Sequence, residues 1–195
     1  MRYYDVLVES ALPYQILERI GTLLRAEERR LAALCGLKPA QWSALCYLAR
    51  CNRYSDTPSA VGEYLGTTKG TTSQTLRRLQ EKGLLREVAD SHDRRVVHWR
   101  LSAAGKKMFR NHGPESAIEP FLQGLSKDRD SRNLLQEILR RLQKANDYRS
   151  FGICGSCNHF RRLGGGRFQC GLTGESLRAE EASLLCREHQ EPVAT

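Results

Sequence analysis

The sequence predicts a mainly α-helical chain built as a winged helix-turn-helix, helical with a small antiparallel β-wing, followed by a small C-terminal module stapled by metal. Three observations carry that expectation. Apolar residues recur at helical spacing through most of the chain up to Ser150, a helix, turn, helix and hairpin follow one another between Thr57 and Gly105, and four cysteines gather past Ser150, where the helical pattern has ended.

Leu12, Ile16, Leu17, Ile20, Leu23, Leu24 and Leu31 set a first helix from about residue 11 to 34, with Gly36 beyond it as a stop. Pro39 starts a shorter helix whose buried stripe is Trp42, Leu45, Cys46 and Ala49. Thr57 caps the next, with Pro58 at its first position, Val61 and Leu65 inward, and Gly66 at its end. After a turn at Thr67 and Thr68, a recognition helix of about 69–82 turns Thr72, Leu76 and Leu79 inward and stops at Gly83. A wing of about 84–101 follows: Leu84, Leu85 and Val88 lead to the charged tip Asp90-Ser91-His92-Asp93-Arg94-Arg95, and Val96 to Leu101 return as a strand. Leu101 to about Phe109 opens another helical stretch, Gly113 and Pro114 interrupt it, and Ile118, Phe121, Leu122 and Leu125 resume the pattern. The last helix carries Leu134, Leu135, Ile138, Leu139 and Leu142.

The recognition helix leaves Lys69, Thr71, Ser73, Gln74, Thr75, Arg77 and Arg78 for its outer face. A merely solvated face is more often Glu and Lys. Short hydroxyl, amide and guanidinium groups reach base edges in the major groove, whereas Lys and Arg neutralise phosphates. Thr71, Gln74, Arg77 and Arg78 are the candidate major-groove contacts. Arg94 and Arg95 are the candidate wing contacts, aimed at a minor groove and held extended by Asp90 or Asp93.

These segments also carry a resemblance. Thr57-Pro58-Ser59 through Leu65-Gly66, Leu79-Gln80-Glu81-Lys82-Gly83-Leu84, the Asp93-Arg94-Arg95 tip, the closing Leu101-Ser102-Ala103-Ala104-Gly105 and the earlier Gly36-Leu37-Lys38-Pro39-Ala40-Gln41-Trp42 resemble the MarR family of bacterial transcription regulators. The resemblance spans roughly residues 12 to 148. It departs at Lys38, where the family usually offers a Ser or Thr cap. It implies that the first and last helices interlock two subunits, so that a homodimer presents two recognition helices to half-sites one DNA turn apart.

The chain carries a net charge of +9, and the placement of that charge matters more than its size. Thr57 to Arg110 holds eleven Lys and Arg against five Asp and Glu, so this window carries +6 and the remaining 141 residues only +3. The excess sits where phosphate neutralisation would use it. No long apolar span, secretory leader or lipidation signal appears, which points to the cytoplasm and away from a membrane.

The seven cysteines fall into two kinds. Cys35, Cys46 and Cys51 lie in the helical part without metal-like spacing and read as small buried hydrophobes, with an oxidant-sensing thiol at Cys46 or Cys51 as the sharper alternative. Cys154 and Cys157 form a CxxC, followed by Cys170 and Cys186 after 12 and 15 intervening residues. The spacing suits four thiolates around one metal, with Gly155 allowing the backbone angles of the first turn. Residues 151–195, set apart from a domain of 1–150, are too few to build a core of their own. Zinc is the favoured metal and an iron–sulfur cluster the alternative, since Arg161, Arg162, Arg167 and Arg187 compensate either. His159 and His189 are reserve ligands, and Gly164-Gly165-Gly166 reads as a hairpin tip.

The function implied is sequence-specific binding to double-stranded DNA by a homodimeric transcription regulator, most simply a repressor on a pseudo-palindromic operator. One alternative is a redox-, oxygen- or iron-responsive regulator with a cluster in its tail, and another is an architectural DNA-binding protein without regulatory input. A protein–protein adaptor would leave the +6 window unexplained. Catalysis is not expected, because four thiolates close a metal site and no Ser-His-Asp order, P-loop or dinucleotide fingerprint appears. An unknown small-molecule effector is compatible with the sequence, which does not identify one.

Overall fold

A computed structural model describes residues 3–90, 93, 95–114, 122–125, 127–145, 147 and 149–192, with side chains from Leu12 onward. The elements run α1 (Tyr3–Leu34), α2 (Pro39–Arg50), α3 (Pro58–Leu65), α4 (Lys69–Glu81), β1 (Leu85–Ala89), β2 (Val97–Leu101), α5 (Ala103–His112) and α6 (Arg129–Ala145). Short strands then alternate with turns: β3 (Gly152–Ile153), a 3₁₀ turn at Cys154–Ser156, β4 (Phe160–Arg162), β5 (Phe168–Cys170), β6 (Ser176–Leu177), a second 3₁₀ turn at Ala179–Ser183, and β7 (Leu185–Cys186).

The core lies where α2, α3, α4 and the wing converge. Trp42, Ala44, Leu45 and Tyr47 of α2, Ala60 and Val61 of α3, and Leu76 and Leu79 of α4 are almost wholly buried, joined by Leu84, Leu85, Trp99 and Leu101 from the hairpin. The 4,3 spacing of Thr72, Leu76 and Leu79 therefore does what periodicity demands, and α4 ends one residue short of the predicted 82. Each cap is chemically explicit. Thr57 Oγ1 accepts from the Ala60 amide, Thr68 Oγ1 from Thr71 and Ser102 Oγ from Gly105, while Gly66 and Gly83 take left-handed backbone at φ 63° and 70°. At α2 the departure at Lys38 is compensated. Its ammonium cannot accept a hydrogen bond, so Gln41 Oε1 reaches back to accept from the Lys38 amide at 2.9 Å.

Helix α1 begins earlier than the apolar pattern predicts, enclosing Pro13 instead of starting near it. Leu12, Ile16, Leu17, Ile20, Leu23 and Leu24 on α1, and Leu134, Leu135, Leu139 and Leu142 on α6, are exposed. Two amphipathic helices thus carry apolar stripes that this single chain leaves uncovered. Ile118 and Phe121 lie outside the described residues, whereas 122–125 are helical with Leu122 and Leu125 exposed. Among the described residues, no helix is long and apolar enough to cross a membrane.

The wing is a two-stranded antiparallel hairpin in the register Leu85↔Leu101 through Ala89↔Val97. Its junction with α5 depends on Gly105. A Cβ there would stand 2.2 Å from the Leu84 carbonyl oxygen, a backbone atom that cannot swing aside. Gly105→Ala is therefore expected to destabilise the chain by about 1–3 kcal/mol through overpacking, read as a lower urea midpoint with an unchanged slope.

Beyond α6 the chain forms a small β-rich unit seated on α2 and α3. Strands β4, β5 and β6 make one antiparallel sheet, β3 pairs with β7, and Gly164, Gly165 and Gly166 all take positive φ at the β4–β5 tip, as that tripeptide predicts. The attachment is polar at its rim and aromatic at its centre. The Asn52 amide donates to Leu185 O and the Arg187 amide to Ser55 Oγ, both at 2.8 Å, and the Arg187 guanidinium grips both Glu63 oxygens at 2.6 and 2.7 Å. Phe151 packs edge-on against Tyr47 and Tyr64, with ring centroids 6.1 and 5.2 Å away. Its φ of 43° is unusual for a bulky residue and is held by those two rings.

Candidate nucleic-acid interface and cysteine cluster

Helix α4 turns its polar face outward because its three apolar positions are consumed by the core. Lys69, Thr71, Gln74, Arg77 and Arg78 are exposed, with Ser73 and Thr75 half-buried. Their availability differs. Arg78 is tied to Glu81 at 2.8 Å and the Thr71 hydroxyl to Thr68 at 3.0 Å, whereas Lys69, Ser73, Gln74 and Arg77 have no side-chain partner among the described residues. The close approach of α3 to α4 fixes the angle between the helices: a Cβ on Gly62 would meet Thr72 Oγ1 at 2.9 Å and the Thr67 carbonyl oxygen at 3.3 Å.

At the wing tip, Arg94 lies outside the described residues. Arg95 projects with nine-tenths of its side chain exposed, braced by Asp93 through two contacts at 3.1 and 2.9 Å. The guanidinium holds the Asp93 carboxyl below its usual range through these hydrogen bonds. Of the two aspartates that could hold the arginine, Asp93 does so. Asp90 instead accepts from the Asp93 amide at 2.8 Å and faces inward to His98.

That inward contact belongs to a cluster the sequence reading missed. His98 of β2 is buried, with Nδ1 against Asp56 Oδ1 and Nε2 3.1 Å from Asp90 Oδ2, while Arg100 Nε reaches Asp56 Oδ2 at 3.2 Å. The Trp99 amide donates to the Asp56 carbonyl at 2.7 Å. Burial alone would lower the His98 pKa, but hydrogen bonding and attraction from Asp56, then Asp90, outweigh it and the net shift is upward. The cluster ties the wing to the loop that starts α3.

The cysteine-rich unit brings Cys154, Cys157, Cys170 and Cys186 to the wall of one cavity of about 80 Å³. The side chains surround that space without closing on a point: among the described residues, no three Cys, His, Asp or Glu groups stand at coordination spacing. Burial first, and then the facing Cys186, Cys157 and Cys170, push the Cys154 thiol up to about 11, and burial also raises Cys186. Cys154 and Cys186 so placed resist ionising unless a cation enters among the sulfurs. The surrounding donors fit thiolates. The amides of His159 and Gln190 both point at Cys157 Sγ at 3.4 Å.

Asn52, on the α2–α3 loop, adds a buried donor. Its Oδ1 accepts from the Tyr54 amide at 3.1 Å and from Ser55 Oγ at 2.8 Å, which fixes the amide orientation. Its Nδ2 is buried without a partner of hydrogen-bonding geometry among the described residues, although it lies near enough to Cys186 to favour the thiolate. We read it as a donor aimed at sulfur, because Asn52 lines the cysteine cavity and the orientation leaves it nowhere else to point.

The reserve ligands part company. His159 lines the cavity and bonds Gln190 at 3.0 Å, whereas His189 lies outside the lining, between Ser150 and Ser156, each 3.1 Å from a ring nitrogen. Gly155 does not use positive φ as its CxxC place suggests. A Cβ there would crowd the Ala182 carbonyl oxygen at 2.9 Å, so close approach explains it. Arg187 is paired with Glu63 and Glu188, and Arg162 lies over the Phe160 and Phe168 rings at 5.5 and 5.7 Å, so neither is held in reserve for the sulfurs alone. Cys51 and Cys46 are buried. Burial holds the Cys51 thiol far above its ordinary range, which disfavours thiolate chemistry there.

Three helices around an aromatic core, a capped helix pair and an antiparallel hairpin leading into α5 define a winged helix-turn-helix protein. More narrowly, residues 36–96 match the model of the MarR family. Solved structures agree. The transcriptional regulator PA3341 is 27% identical with a TM-score of 0.58, over 68% of this chain and 96% of that one. A MarR-family regulator from Silicibacter pomeroyi is 22% identical with a TM-score of 0.58, over 74% and 96%. The S. aureus MepR–DNA complex gives 19% and 0.53, over 68% and 96%. Among curated proteins none matches. These regulators are covered almost end to end, while roughly a quarter to a third of this chain has no counterpart in them.

Proposed function

We propose that this chain is a transcription regulator that binds double-stranded DNA sequence-specifically as a homodimer, most simply as a repressor occupying a pseudo-palindromic operator, and that it works in the cytoplasm. The observation that carries this reading is the outward face of α4, where Lys69, Ser73, Gln74 and Arg77 stand without side-chain partners among the described residues, beside a braced Arg95. The S. aureus MepR structure, similar in fold, is a DNA complex. The uncovered leucine stripes of α1 and α6 support a two-fold partner, because such stripes are costly in water and a second copy supplies their complement.

Residues 1–150 form the reader and its dimerisation helices in this proposal, and 151–195 a module held by metal. Cys154, Cys157, Cys170 and Cys186 would hold the ion, favoured as zinc, which supplies structural cross-linking at four thiolates. The placing of the four thiols around one cavity and the buried Asn52 donor support it. Elemental analysis and a visible spectrum of anaerobically purified protein test the metal: colourless protein with one zinc fits, and brown protein with iron and sulfide would replace the clip by a cluster-based sensor.

Binding to operator and random duplexes across a salt series tests the reader. Arg94→Ala is expected to weaken both and reduce the salt slope by about 1, whereas Gln74→Ala reduces discrimination between them. Equal loss on both duplexes for Gln74→Ala would remove it from base reading.

A further inference from the structure

A cleft of about 930 Å³ runs between the root of the wing, α5 and the second 3₁₀ turn of the C-terminal unit. Six cations line it, Arg53, Arg86, Arg100, Lys106, Arg110 and Arg178, against two carboxylates, Asp56 and Glu181. Both carboxylates already have cationic neighbours, although Glu181 Oε1 makes no hydrogen bond among the described residues. Asp56 is held by His98 and Arg100, and Glu181 by the Arg178 amide at 2.8 Å with Arg53 and Arg178 close by. Arg86, Lys106 and Arg110 have no side-chain partner among the described residues.

The way these cations are arranged works against the fold. Arg86 and Arg100 face each other directly across the hairpin, where like charges repel. Lys106 and Arg110 stand one helical turn apart on α5, the spacing at which like charges also oppose helix formation. Two like-charge pairs on different elements converge on one space; Arg100 also meets Asp56 and Arg110 suits the C-terminal turn of α5, but Arg86 and Lys106 have no such structural role. An anion between them turns both repulsions into attraction. Asn52 apart, the rest of the lining is apolar, with Leu101 and Trp99 buried beneath and Phe109 and Leu184 half-buried at the sides. The volume falls within the range of small-molecule sites. Among the described residues, none of α4 or of the wing tip lines the cleft, which separates it from the surface proposed to read DNA.

We propose that this cleft binds a small phosphate ester, its phosphate held among Arg86, Arg100, Lys106 and Arg110 and its apolar or aromatic body laid against Phe109 and Leu184. Guanidinium groups suit phosphate because their N–H forks match its oxygens two at a time. The inference does not depend on the DNA reading. One wall of the site is the C-terminal unit, beyond the stretch that matches the family model.

Titration calorimetry of the full chain with phenyl phosphate, inorganic phosphate and pyrophosphate tests it, together with Arg86→Gln and Arg110→Gln. Phenyl phosphate is expected to bind at least about tenfold more tightly than inorganic phosphate, and each substitution to weaken it by about tenfold or more. Without ligand, both variants are expected to melt no lower than the parent, since each removes a repulsion. The proposal fails if phenyl phosphate does not bind below about 1 mM, or binds no better than inorganic phosphate. It fails equally if the variants melt lower, which would make the arginines structural, or if they weaken duplex binding as much as Arg94→Ala, which would make the cleft a track for DNA.

Discussion

Removal of the ion proposed at the four thiols, by a chelator or by Cys157→Ser, is expected to release residues beyond Ser150 from the winged helix and to lower the melting temperature. The loss should be large because the unit has little core of its own. Leu163 and Leu172 are exposed, and the buried apolar groups from Phe151 onward are few. Structural zinc sites supply about 10–16 kcal/mol of binding free energy in small peptides, and that term is folding free energy for a segment without a core. The winged helix should lose less. It would forfeit the burial of Phe151 beneath Tyr47 and Tyr64, worth about 2–3 kcal/mol, together with the Arg187–Glu63 grip. In a chain of this size that corresponds to a fall of about 5–10 °C. Core residues such as Trp42, Leu45, Leu76 and Leu79 pack on one another, so a folded reader should survive the release. Limited proteolysis would then remove the tail and spare the rest. A tail that stays protease-resistant after chelation, or metal content unchanged in Cys157→Ser, would contradict the proposed ligand set.

What was legible in the sequence was local. Helix α4 could be bounded to within a residue because its stripe, its Thr68 cap and its Gly83 stop are all short-range signals. The wing followed for the same reason, and so did the glycine tip between β4 and β5. The early start of α1 was less visible, since Tyr3 to Ala11 lack the apolar spacing seen from Leu12 on and Pro13 suggests a boundary.

The contacts that give the molecule its coupling were hidden, because they join residues with no shared pattern. Glu63 and Arg187 lie 124 positions apart, and Asp56 and His98 are separated by 42. Neither pair follows from periodicity or motif. Within β2 an alternating strand gives no sign that His98 is buried between carboxylates, because histidine on an edge hairpin reads equally well as solvated. CxxC spacing drew attention to the sulfurs, whereas the buried Asn52 donor beside them sits on a loop of the other unit and carries no sequence signature. Short-range chemistry thus pointed to the winged helix and to the cysteine spacing separately. Only the assembled chain shows the α2–α3 loop touching both, through Asn52 and Ser55 on one side and Asp56 on the other.

Replacing His98 by Leu is expected to cost about 3–5 kcal/mol, because it leaves the buried Asp56 carboxylate facing an apolar group. Arg100, still on the other Asp56 oxygen at 3.2 Å, should hold the loss toward the lower end. The parent protein should also depend on pH in a definite direction. Both ring nitrogens of His98 face carboxylate oxygens, an arrangement that favours the imidazolium between Asp56 and Asp90, with Arg100 as the remaining charged neighbour. The pKa in the folded chain lies above the ordinary 6.5. Its contribution is therefore complete below about pH 6.5 and is lost as pH rises through the raised value. Thermal melts between about pH 6 and pH 9 should fall with pH for the parent and stay nearly flat for His98→Leu over the same window. Since Asp90 also orders the wing tip by accepting from the Asp93 amide, the amides of Asp93, Arg95 and Val96 should exchange faster at the alkaline end, before the helices open. Parallel melting curves for parent and variant across that window, or wing exchange that tracks global unfolding, would show that His98 merely fills space.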